Sequence, residues 1–346
     1  MDIITILDNI VSNERLESIK KNVSELIGDV EKQVEKIISY SLNGHSQSIN
    51  KELLLKELEQ ILETKTIERM KYYLNRLLKS LSVQKEGKIN DLNLNRWKEY
   101  DDIITDSLWI FDKRDTSGMH KAGYWGNFIP QIPNQLLRRY TKKGEWVLDP
   151  FLGSGTTLIE CKRLSRNGVG VELNKQVAKA TQLIVQKEKN PSKVTTKVVT
   201  GNSATLDYKH LLKKLKNNSF QFVIMHPPYW DIIKFSDNKN DLSNAKSTED
   251  FLRMFRNVVD NFYSILDKRR YCAVVIGDKY SSGEWIPLGF YVMQEMINKG
   301  FKLKSTIIKN FEQTTAKRNQ KELWRYRALA GGFYIFKHEY IFLFQK

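Results

Sequence analysis

A chain of 346 residues with 41% hydrophobic and 11% aromatic side chains can bury a sizeable core, which excludes wholesale disorder. Lys and Arg total 56 against 40 Asp and Glu, and the surplus is confined to one part of the chain. Residues 1–150 carry 23 of each sign, whereas residues 151–346 carry 33 basic and 17 acidic side chains. A one-sided cationic excess points to a polyanionic partner, most simply nucleic acid. No apolar run approaches the roughly 18–20 residues needed to span a bilayer. The start, MDIITILDNIVSNERLESIKK, lacks a basic n-region and a small-residue cleavage site. Cys161 and Cys272 are too few for a disulfide framework and lack metal-ligand spacing. These features predict a cytoplasmic protein with no membrane segment and no metal.

From Ile3 to about Ser82 apolar residues recur at helical spacing, as in Leu54, Leu58, Ile61, Leu62 and again in Met70, Leu74, Leu77, Leu78. The polar stretch SLNGHSQSIN (41–50) reads as a break between two helical groups, and no proline interrupts the chain before Pro130. Residues 1–100 are therefore expected to form a helical N-terminal subdomain for packing, dimerisation or target recognition, and residues 101–346 a second domain. In the second part β-type runs alternate with helix-length segments. The runs are 145–151, 167–173, 193–201, 221–228, 271–278, 303–311 and 333–344; the helices are expected over 157–166, 175–187, 247–266 and 286–299. That alternation predicts an α/β fold with a mainly parallel sheet. Its last two strands can pair as an antiparallel hairpin.

The first of these runs leads into Asp149-Pro-Phe-Leu-Gly-Ser-Gly-Thr-Thr157, a strand followed by a glycine turn and a helix start. Ligands of open α/β sheets bind outside the carboxyl ends of the strands. Glycines let the backbone approach closely there, and the helix N-terminus offers free N–H groups. The spacing fits neither a dinucleotide fingerprint nor a P-loop. Glu172, near the end of the next strand, is placed to take the two hydroxyls of a ribose, and Asn202 after the strand beyond it to hold an adenine edge. Glycine turn, acid and amide at three successive strand ends describe an adenosine-type pocket.

A second motif, His226-Pro227-Pro228-Tyr229-Trp230, follows the strand ending at Met225. Two prolines fix φ and remove two donors, so the turn is rigid and presents carbonyls. Such a turn beside an aromatic suits an exocyclic amine on a planar base. Hydrogen bonds from both amine hydrogens, to the Pro227 carbonyl and the side chain at 226, draw the nitrogen toward tetrahedral geometry. Its lone pair is then free for an electrophilic methyl, while Tyr229 stacks on the base.

Together, Asp149-Pro-Phe-x-Gly-Ser-Gly-Thr-Thr and x-Pro-Pro-Tyr resemble the amino-group DNA methyltransferases, which form N6-methyladenine or N4-methylcytosine from S-adenosylmethionine. The similarity covers roughly residues 110–346 and implies a Rossmann-like methyltransferase sheet. It implies that Asp149, Phe151, Gly153, Ser154, Gly155 and Thr156 cradle the methionine part of the cofactor, Glu172 its ribose and Asn202 its adenine. Asn127 and Phe128, in Gly126-Asn-Phe-Ile-Pro130, fall where the family closes this pocket. His226, Pro227, Pro228 and Tyr229 form the catalytic turn, with His226 replacing the usual Asp, Asn or Ser. Trp230 leans toward the cytosine-N4 members. The cysteines, one mid-strand and one on a helix, do not suit cytosine-C5 chemistry.

Target contacts are expected from the loop 310–332, where Lys317, Arg318, Lys321, Arg325 and Arg327 alternate with Trp324 and Tyr326, and from Trp230. The segment 231–250 is placed to order over a flipped nucleotide. The expected partner is DNA, with a homodimer through the N-terminal helices and a restriction partner left open. The alternatives are an RNA guanine-N2 methyltransferase and an inactive nucleic-acid-binding subunit on the same fold.

Overall fold

The computed structural model describes residues 2–120, 123–124, 126–310 and 321–346, in two compact units, Met1–Ile103 and Ile104–Lys346. The first contains α1 (Ile3–Val11), α2 (Leu16–Glu31), β1 (Ile37–Leu42), β2 (His45–Asn50), α3 (Lys51–Leu62) and α4 (Ile67–Ser82). Asp2, Asn50 and Thr66 start α1, α3 and α4 by accepting from the backbone of Thr5, Leu53 and Arg69. The periodic residues of each helix, among them Leu7, Val23, Leu58 and Leu74, meet in one core. Between the two helical groups the polar stretch is not simply a break. It forms the second strand and turn of an antiparallel hairpin in which Asn43 and Gly44 adopt φ of 50° and 77°. Asn-Gly is the dipeptide that a tight two-residue hairpin turn favours. Ile38, Tyr40 and Ile49 bury the inner face of the hairpin, so this unit is helical with a β-hairpin rather than all helix.

In the second unit β3 (Leu108–Trp109), α5 (Gln131–Tyr140), β4 (Trp146–Asp149), α6 (Thr156–Arg163), β5 (Asn167–Glu172), α7 (Lys175–Lys187), β6 (Thr196–Thr200), α8 (Tyr208–Lys214) and β7 (Phe220–Met225) come first. They are followed by α9 (Thr248–Tyr263), β8 (Leu266–Ile276), β9 (Lys279–Ser281), β10 (Glu284–Ile286), α10 (Leu288–Asn298), β11 (Lys302–Asn310), α11 (Lys321–Gly331) and β12 (His338–Gln345). Eight strands form one sheet in the order β3-β11-β12-β8-β7-β4-β5-β6. β12 runs antiparallel to β11 and β8; the other pairs are parallel. The sheet is thus mainly parallel with an antiparallel final hairpin. Strands such as β7 and β12 are nearly continuous apolar runs because both faces are covered, with Phe220, Phe251, Phe255, Phe262, Phe342 and Phe344 in the core.

The expected helices correspond to α6, α7, α9 and α10, each within three residues at its ends. The run 333–344 is strand only from His338. β11 is described as far as Asn310, the partner of His338, and residues 333–337 precede that pair. Their aromatics pack on the β9–β10 hairpin instead, Phe333 stacking on Tyr280 at 4.1 Å and Phe336 lying 4.2 Å from Trp285. The connection expected as a long loop holds α11. Strand order reverses between β4 and β7, and the crevice outside their carboxyl ends is where an open α/β sheet takes its ligand.

Candidate active site

The carboxyl ends of β4, β5 and β7 open into one cavity of about 1170 Å³. On the β4 side the chain turns through Gly153 and Gly155, with φ of 52° and 84°. A side chain at Gly155 would also come within 2.7 Å of Thr181 and 2.9 Å of Val185 on α7, so both conformation and packing demand glycine. Asp149 holds the turn from inside, its two oxygens accepting from the Phe151 backbone (3.0 Å) and the Thr157 hydroxyl (2.6 Å). Burial pushes its carboxyl up to about 7. Neither Asp149 nor Gly155 lines the cavity; Phe151, Gly153, Ser154 and Thr156 do.

Glu172 also lines the cavity and is tied to the turn, accepting from the backbone N–H of Gly153 (2.9 Å) and of Asn174 (2.8 Å). Burial raises its carboxyl above the usual range, and those two N–H groups counter the rise. Asn202 lines the cavity beyond β6, its side-chain oxygen engaged by the Ala204 N–H at 3.0 Å. Next to it, the Ser203 hydroxyl donates to the Pro150 carbonyl at 2.6 Å and fastens the two strand ends together.

Asn127 and Phe128 link this half to the second motif. The Asn127 amide donates to the Ser154 hydroxyl (3.1 Å), and Arg114 donates to both the Asn127 side chain (3.1 Å) and the Phe128 carbonyl (3.0 Å). The Phe128 ring lies 5.0 Å from the His226 imidazole. His226, Pro227, Pro228 and Tyr229 all line the same cavity as the glycine turn. Burial pushes the His226 imidazole down to about 4; the nearby Glu339 raises it and Lys309 lowers it further. Its Nε2 sits 3.1 Å from the Tyr229 hydroxyl, which donates to Glu339 at 2.6 Å. The Tyr229 ring rests against Gly277, where a Cβ would approach it to 2.9 Å.

Lys309, Glu339 and Arg114 were not singled out by motif. The first two could have been noticed, since each is a charge placed among apolar strand residues and each proves buried, at 6% and 3% exposure. Arg114 lies in a loop with no local signal.

The nucleic-acid residues fall elsewhere. Trp230 does not line the cavity; its indole N–H donates to the Ala245 carbonyl at 2.8 Å and the Lys279 ammonium covers its ring at 3.7 Å. Trp324, Arg325 and Arg327 lie on α11, where the Arg327 guanidinium sits 5.3 Å over the Trp324 ring and both arginines are exposed. Lys317 and Arg318, and the Lys321 side chain, lie outside the described residues. From the segment 231–250, Ile232, Ile233, Phe235 and Asn240 to Leu242 line the cavity, with Phe235 stacked at 6.2 Å on Tyr124.

The donor set suits S-adenosylmethionine. A carboxylate and an amide face the cavity at successive strand ends, and the glycine turn leaves the space that a Cβ would fill. Arg114 brings a positive charge beside it, with Nε and Nη2 buried and without a hydrogen-bond partner among the described residues.

A sequence profile of the DNA methylase family, N6_N4_Mtase, matches residues 3–183 and 220–346, so the match takes in the N-terminal unit that the motifs left out. Three relatives are named type II methyltransferases. M.MthZI of Methanothermobacter thermautotrophicus is 28% identical over 157 residues, 37% of this chain and 42% of that protein. M2.DpnII of Streptococcus pneumoniae is 35% identical over 100 residues, 28% and 34% of the two chains. M.MjaII of Methanocaldococcus jannaschii is 36% identical over 66 residues, 19% and 12%. The chain thus spans less than half the length of these curated relatives. Among solved structures, TrmN from Thermus thermophilus superposes with a TM-score of 0.42 at 14% identity, over 64% of this chain and 50% of that one, a likeness too distant to bear on the chemistry. With the profile matching along most of its length, the chain belongs to the DNA methylase family.

Proposed function

We propose that this protein transfers a methyl group from S-adenosylmethionine to an exocyclic amine of a base in DNA, cytosine N4 or adenine N6. The observation that carries the reading is that the glycine turn and the His226-Pro-Pro-Tyr229 turn open into one cavity, with Phe128 between them. S-adenosylmethionine, when bound, supplies an electrophilic methyl carbon on a sulfonium.

Phe151, Gly153, Ser154 and Thr156 hold the methionine end of the cofactor, Glu172 the ribose hydroxyls and Asn202 the purine edge, with Asn127 and Phe128 closing over them. Asp149 and Gly155 keep the turn in shape from behind. At the other end, the Pro227 carbonyl and a ring nitrogen of His226 accept the two hydrogens of the target amine. Taking both hydrogens frees the nitrogen lone pair from the ring. That lone pair would then be free to take the methyl carbon that S-adenosylmethionine supplies, the carbon–sulfur electron pair staying on sulfur and the surplus amine proton passing to solvent. His226, neutral through ordinary pH, accepts without needing to be deprotonated first.

The target base is out of reach inside a duplex, so it is flipped into the cavity under residues 231–250. Lys317, Arg318, Trp324, Arg325 and Arg327 contact the surrounding strand, in keeping with the cationic surplus of residues 151–346. Trp230 buttresses the catalytic turn through Ala245 and Lys279. The type II label of the relatives extends the reading to a cognate restriction partner.

Unmethylated DNA incubated with labelled S-adenosylmethionine, then digested to nucleosides, is expected to yield N4-methylcytosine or N6-methyladenine by mass spectrometry. Label in neither nucleoside overturns the reading. Calorimetry checks the cofactor half: Glu172→Ala is expected to weaken S-adenosylmethionine binding by about tenfold or more.

A further inference from the structure

The catalytic turn of this chain carries a histidine, and a histidine, unlike Asp, Asn or Ser, can present either of two ring nitrogens as its acceptor. The structure contains the means to select one. Lys309 on β11 and Glu339 on β12 are direct cross-strand partners, their charged groups 3.3 Å apart and buried. A carboxylate held by an ammonium accepts hydrogen bonds and donates none. The Tyr229 hydroxyl, 2.6 Å away, therefore gives its one proton to Glu339, and burial beside that carboxylate holds the phenol well above its usual titration range. With its proton committed, the phenol oxygen has only lone pairs to offer His226 Nε2 at 3.1 Å. That contact is satisfied when Nε2 carries the imidazole proton. Nδ1 is then bare. It has no hydrogen-bond partner among the described residues, and His226 lines the cavity.

We propose that the Lys309–Glu339 pair, acting through the Tyr229 hydroxyl, is a positioning device that keeps the His226 proton on Nε2 and offers Nδ1 to the cavity as an acceptor, so that the site admits a base with an amine and repels one with a carbonyl at the same place. The inference rests on the proposed methylation of an exocyclic amine and adds to it the reason that a histidine can stand in this turn. A bare Nδ1 attracts the N–H of cytosine N4 or adenine N6 and opposes the oxygen of thymine O4 or guanine O6. With the proton on Nδ1 that preference reverses. Lys309, Glu339 and the Tyr229 hydroxyl act through His226 and are positioning groups.

The tautomer can be read without DNA. In protein labelled with ¹⁵N-histidine, long-range ¹H–¹⁵N correlation is expected to show neutral His226 protonated at Nε2, the signal being assigned by its loss in His226→Asn. In Tyr229→Phe, and in Glu339→Gln, it is expected to move toward protonation at Nδ1. A wild-type signal protonated at Nδ1, or one unchanged in Tyr229→Phe, overturns the proposal; because cofactor and substrate are absent, either result is independent of whether DNA is methylated. The kinetic test is a double-mutant cycle. Glu339→Gln is expected to lower kcat about tenfold with S-adenosylmethionine affinity and KM for DNA unchanged, and to cost less than about twofold in the His226→Asn background, where an amide carbonyl needs no tautomer. Equal losses in the two backgrounds assign Glu339 a structural role and overturn the proposal. Should Glu339→Gln fail to fold, Tyr229→Phe carries the spectroscopic test alone.

Discussion

The depressed basicity of His226 has a consequence for stability as well as for chemistry. Its value falls to about 4 in the folded protein, chiefly through burial, from about 6.5 in an unfolded chain. Between those limits the unfolded chain binds the proton and the folded one does not. Acid therefore withdraws stability as the pH drops from about 6.5 to about 4, and the loss from this residue is complete below 4. His226→Asn is expected to flatten that part of the curve of thermal midpoint against pH, relative to wild type; identical curves would show that the imidazole is not held neutral by its surroundings. Catalysis should follow the same group, so the acid limb of kcat that His226→Asn abolishes is expected near pH 4 and not near 6.5.

At the scale of single elements, the turn from β4 into α6 has little freedom. Gly155 stands at φ 84° with α7 pressed against the site of its absent side chain, Thr181 at 2.7 Å. Gly155→Ala combines an unfavourable backbone with overpacking, and denaturant titration is expected to show a loss of about 2–4 kcal/mol. Cofactor affinity should fall with it, since Ser154 and Thr156 move as the helix shifts. A loss below about 1 kcal/mol would mean that α7 yields without cost.

This turn was legible in the sequence because its chemistry is local: strand, glycines and helix follow one another within a dozen residues. The x-Pro-Pro-Tyr turn was legible for the same reason. Glu339 was not, because its partner Tyr229 lies 110 positions earlier and meets it only through strand pairing. Asp149 was placed among the cofactor ligands by motif, yet its carboxylate turns inward to Phe151 and Thr157, a direction that the motif does not encode. The N-terminal hairpin did carry a local signal in Asn43-Gly44, hidden by a polar outer face: apart from Ile49, the residues of β2 are exposed.

Across the whole molecule, charge is divided as the fold is. Residues 1–103 carry 16 basic and 18 acidic side chains, leaving 40 and 22 for residues 104–346. Electrostatic attraction for a phosphate backbone is accordingly expected from the second unit. The plot of log affinity for DNA against log salt is expected to lose about one unit of slope for each of Arg325→Gln and Arg327→Gln. Lys21→Gln, exposed on α2, is expected to leave the slope unchanged. An equal effect of all three would mean that the first unit touches phosphate too.

The placing of β12 between β8 and β11 bears on how the protein is made. β8 ends at Ile276 and β11 at Asn310, whereas their common neighbour begins only at His338. On a ribosome adding about 5–20 residues per second, the edge of β8 stands unpaired for roughly 3–12 s before that neighbour emerges. The apolar edge of β8 is then open to any other nascent chain nearby. The strand that ends this exposure also delivers Glu339, so the interval of greatest danger for the newborn sheet closes as its active site is completed.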